Sequence, residues 1–515
     1  MGINQRKAGA ILSYIVLAVN SVIGILYTPI MLRLMGQSEY GLYSLVASVI
    51  GYLTIFDLGL GNAMIRYIAK YKAIGDKKSE AKLNGMFFVI YTIIGVIVLL
   101  IGLVLSSQVE LIFSNSLTGN EIQKAKILFT ILTLNLAVSF PLGIFSSILT
   151  AYEEFVFSKL ITLGRTILMP VIMIPMLLAG YRSIGMVVVI SVLNLAGLLM
   201  NTWYCLRKLE INMALKGFDF AILRDVAPYS FYIFLNIVVD KLYVNTDKFI
   251  LGSVSGTIAV SVYAIALQLY EYYSMFSTSI NGVFLPKLTA IAAKDRNADE
   301  ELSEVFVRIG RIQFIILSFI LSGFILYGRT FLNLWAGEGY SDAYYISLLI
   351  MIPAIIPLSQ NIGILILQAK NMHRFRSVVY ILIAIVNVLI SIPLAKLYGG
   401  VGAALGTALA NLAGQICTMN WYYYKKVGIN IPGYWKQIGR LSILVLLIMT
   451  TAGALDRYIS GESWIILMGR ILIYCLLFTG LMWKFGMNQY ERGLVRSIIS
   501  RVTGKARSKV VYGDN

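Results

Sequence analysis

Long apolar runs follow one another along almost the whole chain, and they constrain its fold more than any other feature. A run of about 20 apolar residues can cross a hydrocarbon core of roughly 30 Å as a helix, whereas an open sheet could not satisfy its backbone there. The sequence is 58% hydrophobic and 13% charged, which is too apolar for a surface that faces only water. It therefore predicts an all-α polytopic membrane protein.

Charged residues and Gly or Pro breaks divide the apolar sequence into fourteen predicted membrane-spanning helices. Their predicted ranges are 9–32, 40–61, 84–106, 127–150, 160–179, 183–204, 228–252, 258–283, 306–327, 343–366, 378–395, 400–421, 438–456 and 463–483. The termini and the loops on their side hold 29 of the 43 Lys and Arg residues, and the opposite loops hold 7. Because basic loops stay inside, both termini are predicted to be cytoplasmic. The net charge of +18 then needs no nucleic acid as a partner.

One phrase occurs twice in the same register, as YRSIGMVVVISVLNLAG at 181–197 and YGGVGAALGTALANLAG at 398–414. Earlier residues match as well at a constant offset of 220 positions, for example Gly36 with Gly256 and Tyr43 with Tyr263. The repeat predicts two parallel six-helix halves, and such repeats are typical of transporters, with the substrate between them. The predicted organisation is a first lobe at 1–204, a cytoplasmic linker at 205–227, a second lobe at 228–421, two peripheral helices at 438–483 and a basic tail at 484–515.

The tail and the loops limit which other activities the sequence could support. Apolar residues recur at helical spacing between the arginines of the tail, which suits a helix on anionic lipid; a disordered tail is the alternative. No Gly-Lys-Ser/Thr nucleotide loop and no soluble domain of useful size occurs, and the three cysteines show no paired spacing. We therefore expect no cofactor, no metal site and no enzymatic activity.

Two segments carry a resemblance to a known family. They are RLMGQSEYGLYSLVASVIGYLTIFDLGLGNAMIRYIAKY at 33–71 and LQAKNMHRFRSVVYILIAIVNVLISIPLAKLYGGVGAALGTALANLAG at 367–414. With the predicted spans, they resemble the polysaccharide flippases of the multidrug, oligosaccharidyl-lipid and polysaccharide exporter superfamily. The resemblance implies a V-shaped cavity between the lobes and two peripheral helices. It also implies ion-coupled flipping of undecaprenyl-diphosphate-linked oligosaccharides across a bacterial inner membrane, for surface polysaccharides such as lipopolysaccharide.

Polar residues in the seventh span are the strongest candidates for such a site. Asn236, Asp240, Tyr243 and Asp247 lie on one stripe of the predicted helix, and Lys241 begins a second stripe that includes Asn245 and Lys248. Ionisable residues inside a membrane are costly, so they are expected to face a cavity or a partner. A cavity lining and a structural lock between helices both fit this pattern.

Two roles are assigned to these charges. Lys241 and Lys248, with Arg33 and Arg165 as helpers, are the predicted ligands of the diphosphate. Asp240 and Glu271, at the same predicted depth beside Lys241, are preferred for coupling to a proton or sodium ion. Asp247 ranks third for this coupling role, because its place near the outer end of the span predicts that it is always hydrated.

Three functional classes fit the sequence to different degrees. A flippase for lipid-linked oligosaccharides, acting as a monomer, is favoured. A cation-coupled multidrug antiporter of the same fold is the alternative, since the spans hold charges of both signs. A membrane-embedded glycosyltransferase or polymerase is disfavoured, because its usual large outer loop is missing from the sequence.

Overall fold

Every regular element in the described residues of the computed structural model is helical, which confirms the all-α prediction. The described residues are 5–216, 218, 220–278, 281–294, 298–459 and 461–502. In the first part of the chain the helices are α1 (Gln5–Met35), α2 (Gln37–Leu53), α3 (Leu60–Ile74), α4 (Lys77–Phe113), α5 (Gly119–Ala151), α6 (Phe155–Leu178) and α7 (Arg182–Arg207).

The second part continues in the same way. Its helices are α8 (Phe220–Val254), α9 (Gly256–Thr278), α10 (Asn281–Ala292), α11 (Ala298–Trp335), α12 (Asp342–Ser359), α13 (Ile362–Ala369), α14 (His373–Asn411), α15 (Met419–Tyr422), α16 (Ile431–Asp456), α17 (Trp464–Leu481) and α18 (Gln489–Val502). Short 3₁₀ turns lie at Thr54–Asp57 and Glu338–Tyr340, and π-helical turns at Leu412–Thr418, Tyr423–Val427 and Met482–Gly486.

Eleven segments of the described residues are long and apolar enough to cross a membrane, so the chain is a multi-pass membrane protein. Helices α8 and α9, which match predicted spans seven and eight, are not among them. Predicted spans eleven and twelve fall in one segment, Arg374–Val427. The count of fourteen spans and the arrangement of the repeats stay predictions.

The second predicted span, 40–61, is broken in the structure. Helix α2 ends at Leu53, a 3₁₀ turn follows, and Leu58 and Gly59 have φ values of 52° and 72° before α3 begins. Positive φ cannot continue a right-handed helix. The carboxylate of Asp57 at the break accepts a hydrogen bond of 2.8 Å from Tyr91 Oη on α4, which joins the break to the neighbouring helix.

The chain forms two compact units. The larger unit comprises Met1–Leu269, Trp335–Ile350 and Arg374–Gly414, and the smaller unit comprises Tyr270–Leu334, Met351–His373 and Gln415–Asn515. Each unit combines three segments that are far apart in the sequence. The predicted lobes at 1–204 and 228–421, with their linker and peripheral helices, stay predictions.

The smaller unit holds the helical part of the tail. Arg311 on α11 donates to both carboxylate oxygens of Glu491 on α18, from Nε to Oε1 at 2.8 Å and from a terminal nitrogen to Oε2 at 3.1 Å. Both side chains are buried, and a buried bidentate pair fixes orientation as well as distance. The guanidinium of Arg308 lies 4.7 Å from the ring centre of Tyr490. The tail is therefore helical as far as Val502, and the first turn of its helix is bonded to α11.

Candidate functional site

A buried carboxylate connects three helical segments of the larger unit. Asp247 on α8 is 1% exposed. Its Oδ2 accepts hydrogen bonds from Tyr263 Oη on α9 at 2.5 Å and from Thr407 Oγ1 on α14 at 2.7 Å. Its Oδ1 is also buried and has no hydrogen-bond partner in the described residues. The predicted hydration of Asp247 is therefore wrong, because α9 and α14 cover it from water.

A kink in α14 supplies the polar residues around this carboxylate. Gly399 has φ 57° and ψ −135°, which divides α14 into two arms. Ser391 Oγ on one arm donates to the carbonyl oxygen of Ala403 on the other at 3.3 Å, although 12 residues of continuous helix would separate them by about 18 Å. Asn387 Oδ1 accepts from Ser391 Oγ at 2.8 Å and from Thr407 Oγ1 at 3.2 Å. We call Asp247, Tyr263, Asn387, Ser391 and Thr407 the acidic cluster.

A second polar cluster, around Arg165, lies in the first part of the larger unit. The Arg165 side chain on α6 is exposed and donates from a terminal nitrogen to Asn194 Oδ1 on α7 at 3.0 Å. Asn194 Nδ2 donates in turn to Asn135 Oδ1 at 3.1 Å and to Ser139 Oγ at 2.8 Å, both on α5. Arg165 lies about 15 Å along α6 from its first residue, inside the membrane-spanning segment. We call Arg165, Asn194, Asn135 and Ser139 the basic cluster.

The repeated Asn-Leu-Ala-Gly phrase contributes to both regions. Asn194 is the centre of the basic cluster, and its counterpart Asn411, which is buried, donates from Nδ2 to Tyr243 Oη on α8. The glycines of the phrase lie at helix contacts. A Cβ on Gly197 would lie 3.3 Å from Ile161, and one on Gly414 would lie 2.0 Å from Ile383. The phrase thus supplies an amide that bonds between helices and a site of close helix packing.

Four polar side chains join predicted outer helix ends of the first and second halves. Ser38 Oγ and Thr257 Oγ1 both donate to Glu121 Oε1, at 2.6 Å and 2.8 Å. Gln37 Nε2 donates to the carbonyl oxygen of Gly339 at 2.7 Å. Residues of α2 and α5 are therefore bonded to the start of α9 and to the turn before α12. We call Ser38, Glu121 and Thr257 the outer contact.

The other predicted coupling residues lie in different surroundings. Asp240 is exposed, and the charges of Arg376 and Lys241 act on it. Glu271 is exposed and belongs to the smaller unit, whereas Asp240 and half-buried Lys241 belong to the larger one. Their predicted grouping at one depth stays a prediction. Sequence reasoning placed Arg376 in a loop and missed its charge near Asp240.

The predicted phosphate ligands lie on three helices. Arg33 is exposed near the end of α1, Arg165 is in the basic cluster, and Lys248 is half-buried immediately after Asp247 on α8. Their binding roles stay predictions. Sequence reasoning missed Asn387, Ser391 and Thr407. The available signal was the four-residue spacing of Asn387 and Ser391, which places two polar side chains on one face of an apolar helix.

The acidic cluster and the basic cluster suit different ligands. The acidic cluster presents a buried carboxylate amid hydroxyl, amide and carbonyl oxygens, which are the ligand types that hard cations prefer. No group of three or more His, Cys, Asp or Glu side chains that could hold a metal is found among the described residues. The basic cluster presents a guanidinium with amides and a hydroxyl, which suits phosphate oxygens or sugar hydroxyls.

Comparison with known proteins identifies the fold and the family. The structure resembles the lipid II flippase MurJ in an inward closed conformation, with a TM-score of 0.72, 15% sequence identity, and 96% of this chain and 99% of that one covered. It also resembles an inward-facing multidrug resistance MATE transporter of the MOP superfamily, with a TM-score of 0.66, 14% identity, and 82% and 99% coverage. At these identities the likeness shows the fold alone, that of a multi-span MOP transporter.

Sequence comparison narrows that class. The family described as polysaccharide biosynthesis protein matches residues 30–345, more than half of the chain. A putative O-antigen transporter of Shigella flexneri is 20% identical over 422 residues, which cover 80% of this chain and 96% of that protein. The chain belongs to the polysaccharide biosynthesis protein family and is a polysaccharide flippase of the MOP superfamily. These relatives are transporters and flippases rather than enzymes.

Proposed function

We propose that this protein flips undecaprenyl-diphosphate-linked oligosaccharide repeat units from the cytoplasmic to the periplasmic leaflet of a bacterial inner membrane. The observation that carries this proposal is the basic cluster inside the membrane-spanning helices of a polysaccharide flippase. A guanidinium can clamp phosphate oxygens through paired hydrogen bonds. Adjacent amides and hydroxyls can donate to and accept from sugars.

The acidic cluster is the proposed site of coupling to a proton or a sodium ion. A buried carboxylate oxygen without a hydrogen-bond partner is costly unless a proton or a cation accompanies it. Asp247 has such an oxygen, Oδ1, while its Oδ2 accepts hydrogen bonds from the hydroxyls of Tyr263 and Thr407. Burial therefore favours Asp247 over exposed Asp240 and Glu271, whose coupling roles remain alternatives within this proposal.

The outer contact supports transport by alternating access. Bonds from α2 and α5 to α9 at the predicted outer end are expected in a state that is closed to the periplasm. In the opposite state these bonds would break, and cargo could leave sideways into the outer leaflet.

Lys241, Lys248 and Arg33 complete the proposed cation set for the diphosphate. Neutral replacement of Lys241 or Lys248 is expected to abolish transport at normal membrane abundance. If Lys248→Gln instead removes the protein from the membrane, Lys248 is a structural partner of its neighbours. Immunoblotting of isolated membranes, together with transport, separates the two results.

Loss of the gene tests the cargo. We expect the mutant to accumulate lipid-linked repeat units that face the cytoplasm and to lack the corresponding surface polysaccharide. Accessibility of the sugars to a lectin or glycosidase, in inverted and right-side-out vesicles, measures their orientation. Normal surface polysaccharide with a loss of resistance to cationic dyes would instead support the multidrug antiporter.

A further inference from the structure

Asn194 connects Arg165 to a third helix. It accepts the hydrogen bond from Arg165 through Oδ1 and donates both hydrogens of its amide to α5, at Asn135 and Ser139. An amide side chain has two N–H donors and a carbonyl oxygen with two lone pairs, so both donors and one acceptor position of Asn194 are engaged. The orientation of Asn194 is therefore determined by two bonds that do not involve Arg165.

Among the residues that the structure describes, Arg165 has one such hydrogen-bond partner, Asn194. The bond to Asn194 uses one of the five N–H donors of the guanidinium, and the side chain is exposed. A long arginine side chain loses conformational entropy when it is fixed in one rotamer. A neighbour that fixes it before the ligand arrives lowers this cost at binding.

The other hydroxyls near Arg165 on α6 do not offer this support. Thr162 Oγ1 and Thr166 Oγ1 donate to carbonyl oxygens of their own helix, those of Ser158 and Thr162, both at 3.0 Å. Asn411, which occupies the position of Asn194 in the second copy of the repeated phrase, bonds to a tyrosine. The bond between an asparagine and a cation described here lies in the first copy.

From these contacts we propose that Asn194 is a positioning residue that holds the Arg165 guanidinium ready to bind the phosphate oxygens of the cargo. Asn135 and Ser139 anchor Asn194 from α5. This inference rests on the proposed function, because it takes a lipid diphosphate as the ligand. It adds that the affinity of the cation depends on an amide network that never contacts the phosphate.

A double-mutant cycle on binding tests the proposal. The probe is undecaprenyl diphosphate, and its Kd is measured on the full-length protein in detergent, for example by native mass spectrometry. Arg165→Gln is expected to weaken binding about 10-fold, as for the loss of a hydrogen bond to a charged group. Asn194→Leu is expected to weaken binding about 3- to 10-fold, because the cation loses its preset orientation. In the Arg165→Gln background, Asn194→Leu should have no further effect.

Controls separate positioning from a general effect on the fold. Thr166→Val, beside Arg165 but bonded only to its own helix, should leave the Kd unchanged. Ser139→Ala removes one anchor with little change in shape, so it serves if Asn194→Leu does not fold. It should weaken binding about 2- to 3-fold, and only when Arg165 is present.

The outcomes bear on different claims. If Asn194→Leu weakens binding equally with and without Arg165, or leaves the Kd unchanged, Asn194 does not act through Arg165 and the inference is overturned. If Asn194→Leu does not fold and Ser139→Ala leaves the Kd unchanged, the result is the same. If the parent protein does not bind undecaprenyl diphosphate at all, the cargo assigned under the proposed function fails instead.

Discussion

The two copies of the repeated phrase share the residues that contact neighbouring helices, whereas the charged residues near them differ. In the first copy, Asn194 bonds to exposed Arg165; in the second, Asn411 bonds to Tyr243, and the nearby ionisable group is Asp247, which is 1% exposed. The conserved parts of the phrase are an amide that links helices and a glycine at a close helix contact. We propose that the shared residues of the phrase serve as a common scaffold and that the different charged side chains near each copy serve different tasks.

Exposure suits each charge to its proposed task. An exposed guanidinium can meet a large cargo whose phosphates and sugars could not enter a packed helix bundle. A buried carboxylate excludes such a cargo but can accept a proton or a small cation. The difference in exposure therefore supports the proposal that the basic cluster recognises the cargo and the acidic cluster couples transport to an ion.

Neutralising the acidic cluster should have the largest effect. Asp247→Asn keeps the shape of the side chain and removes its charge, so transport should no longer respond to an ion gradient. A potential of 100 mV is worth about 2.3 kcal/mol per charge, or about 50-fold in the ratio of cargo between leaflets. That ratio, measured in proteoliposomes under an imposed gradient, should fall toward one.

Asp240→Asn and Glu271→Gln are the matched tests of the other carboxylates. Because both side chains are exposed in the structure, we expect each variant to keep most of its response to the gradient. A lost response in both, with a normal response in Asp247→Asn, would move coupling from the acidic cluster to Asp240 and Glu271.

A cross-link at the outer contact should stop transport without removing either cluster. The hydroxyl oxygens of Ser38 and Thr257 are 3.3 Å apart, a separation that favours a disulfide between cysteines at these positions. Oxidation of the double variant Ser38→Cys, Thr257→Cys should reduce flipping to the level of empty liposomes, and a reductant should restore it. The two single variants, oxidised in parallel, control for the native cysteines. Full transport by the cross-linked protein would mean that the outer contact does not open during the cycle.

The glycines of the repeated phrase should show the smallest effects, on stability. In Gly414→Ala, the new methyl group would overlap Ile383, and overpacking of this kind costs about 1–3 kcal/mol. In Gly197→Ala, the nearest atom is 3.3 Å from the new Cβ, so a small shift of Ile161 should accommodate it. Thermal unfolding of the purified proteins should show a lower Tm for Gly414→Ala than for Gly197→Ala. Equal Tm values would show that the two contacts are equally tolerant.

Sequence reasoning recovered the composition-driven features of the fold more fully than the site. Runs of apolar residues predict membrane helices because each run must satisfy its backbone hydrogen bonds internally in lipid. The family resemblance was also confirmed. The exact place of the break after Leu53 was not predicted, since an apolar run does not reveal that Leu58 and Gly59 adopt positive φ. The eleven candidate spans of the described residues leave out α8 and α9 and join predicted spans eleven and twelve into one segment across the kink at Gly399.

The missed parts of the site depend on tertiary contacts. Height along a single helix predicted that Asp247 would be hydrated, because height does not report which neighbours cover a side chain. The kink at Gly399 brings Ser391 beside Ala403, and no local pattern gives the direction in which α14 turns back. Arg165 was recognised as a charge within a span, whereas its bond to Asn194 required the packing of α6 against α7.

A single transport assay on two variants tests most directly whether the basic cluster recognises the cargo and the acidic cluster couples transport to an ion. Flipping of a lipid-linked oligosaccharide is measured in proteoliposomes with and without an imposed proton or sodium gradient, for the parent, Arg165→Gln and Asp247→Asn. We expect Arg165→Gln to require more cargo for half-maximal rate while keeping the parent's response to the gradient. Asp247→Asn should keep the parent's cargo requirement and lose that response. The opposite pattern, or the same defect in both variants, would contradict the assignment of cargo to the basic cluster and coupling to the acidic cluster.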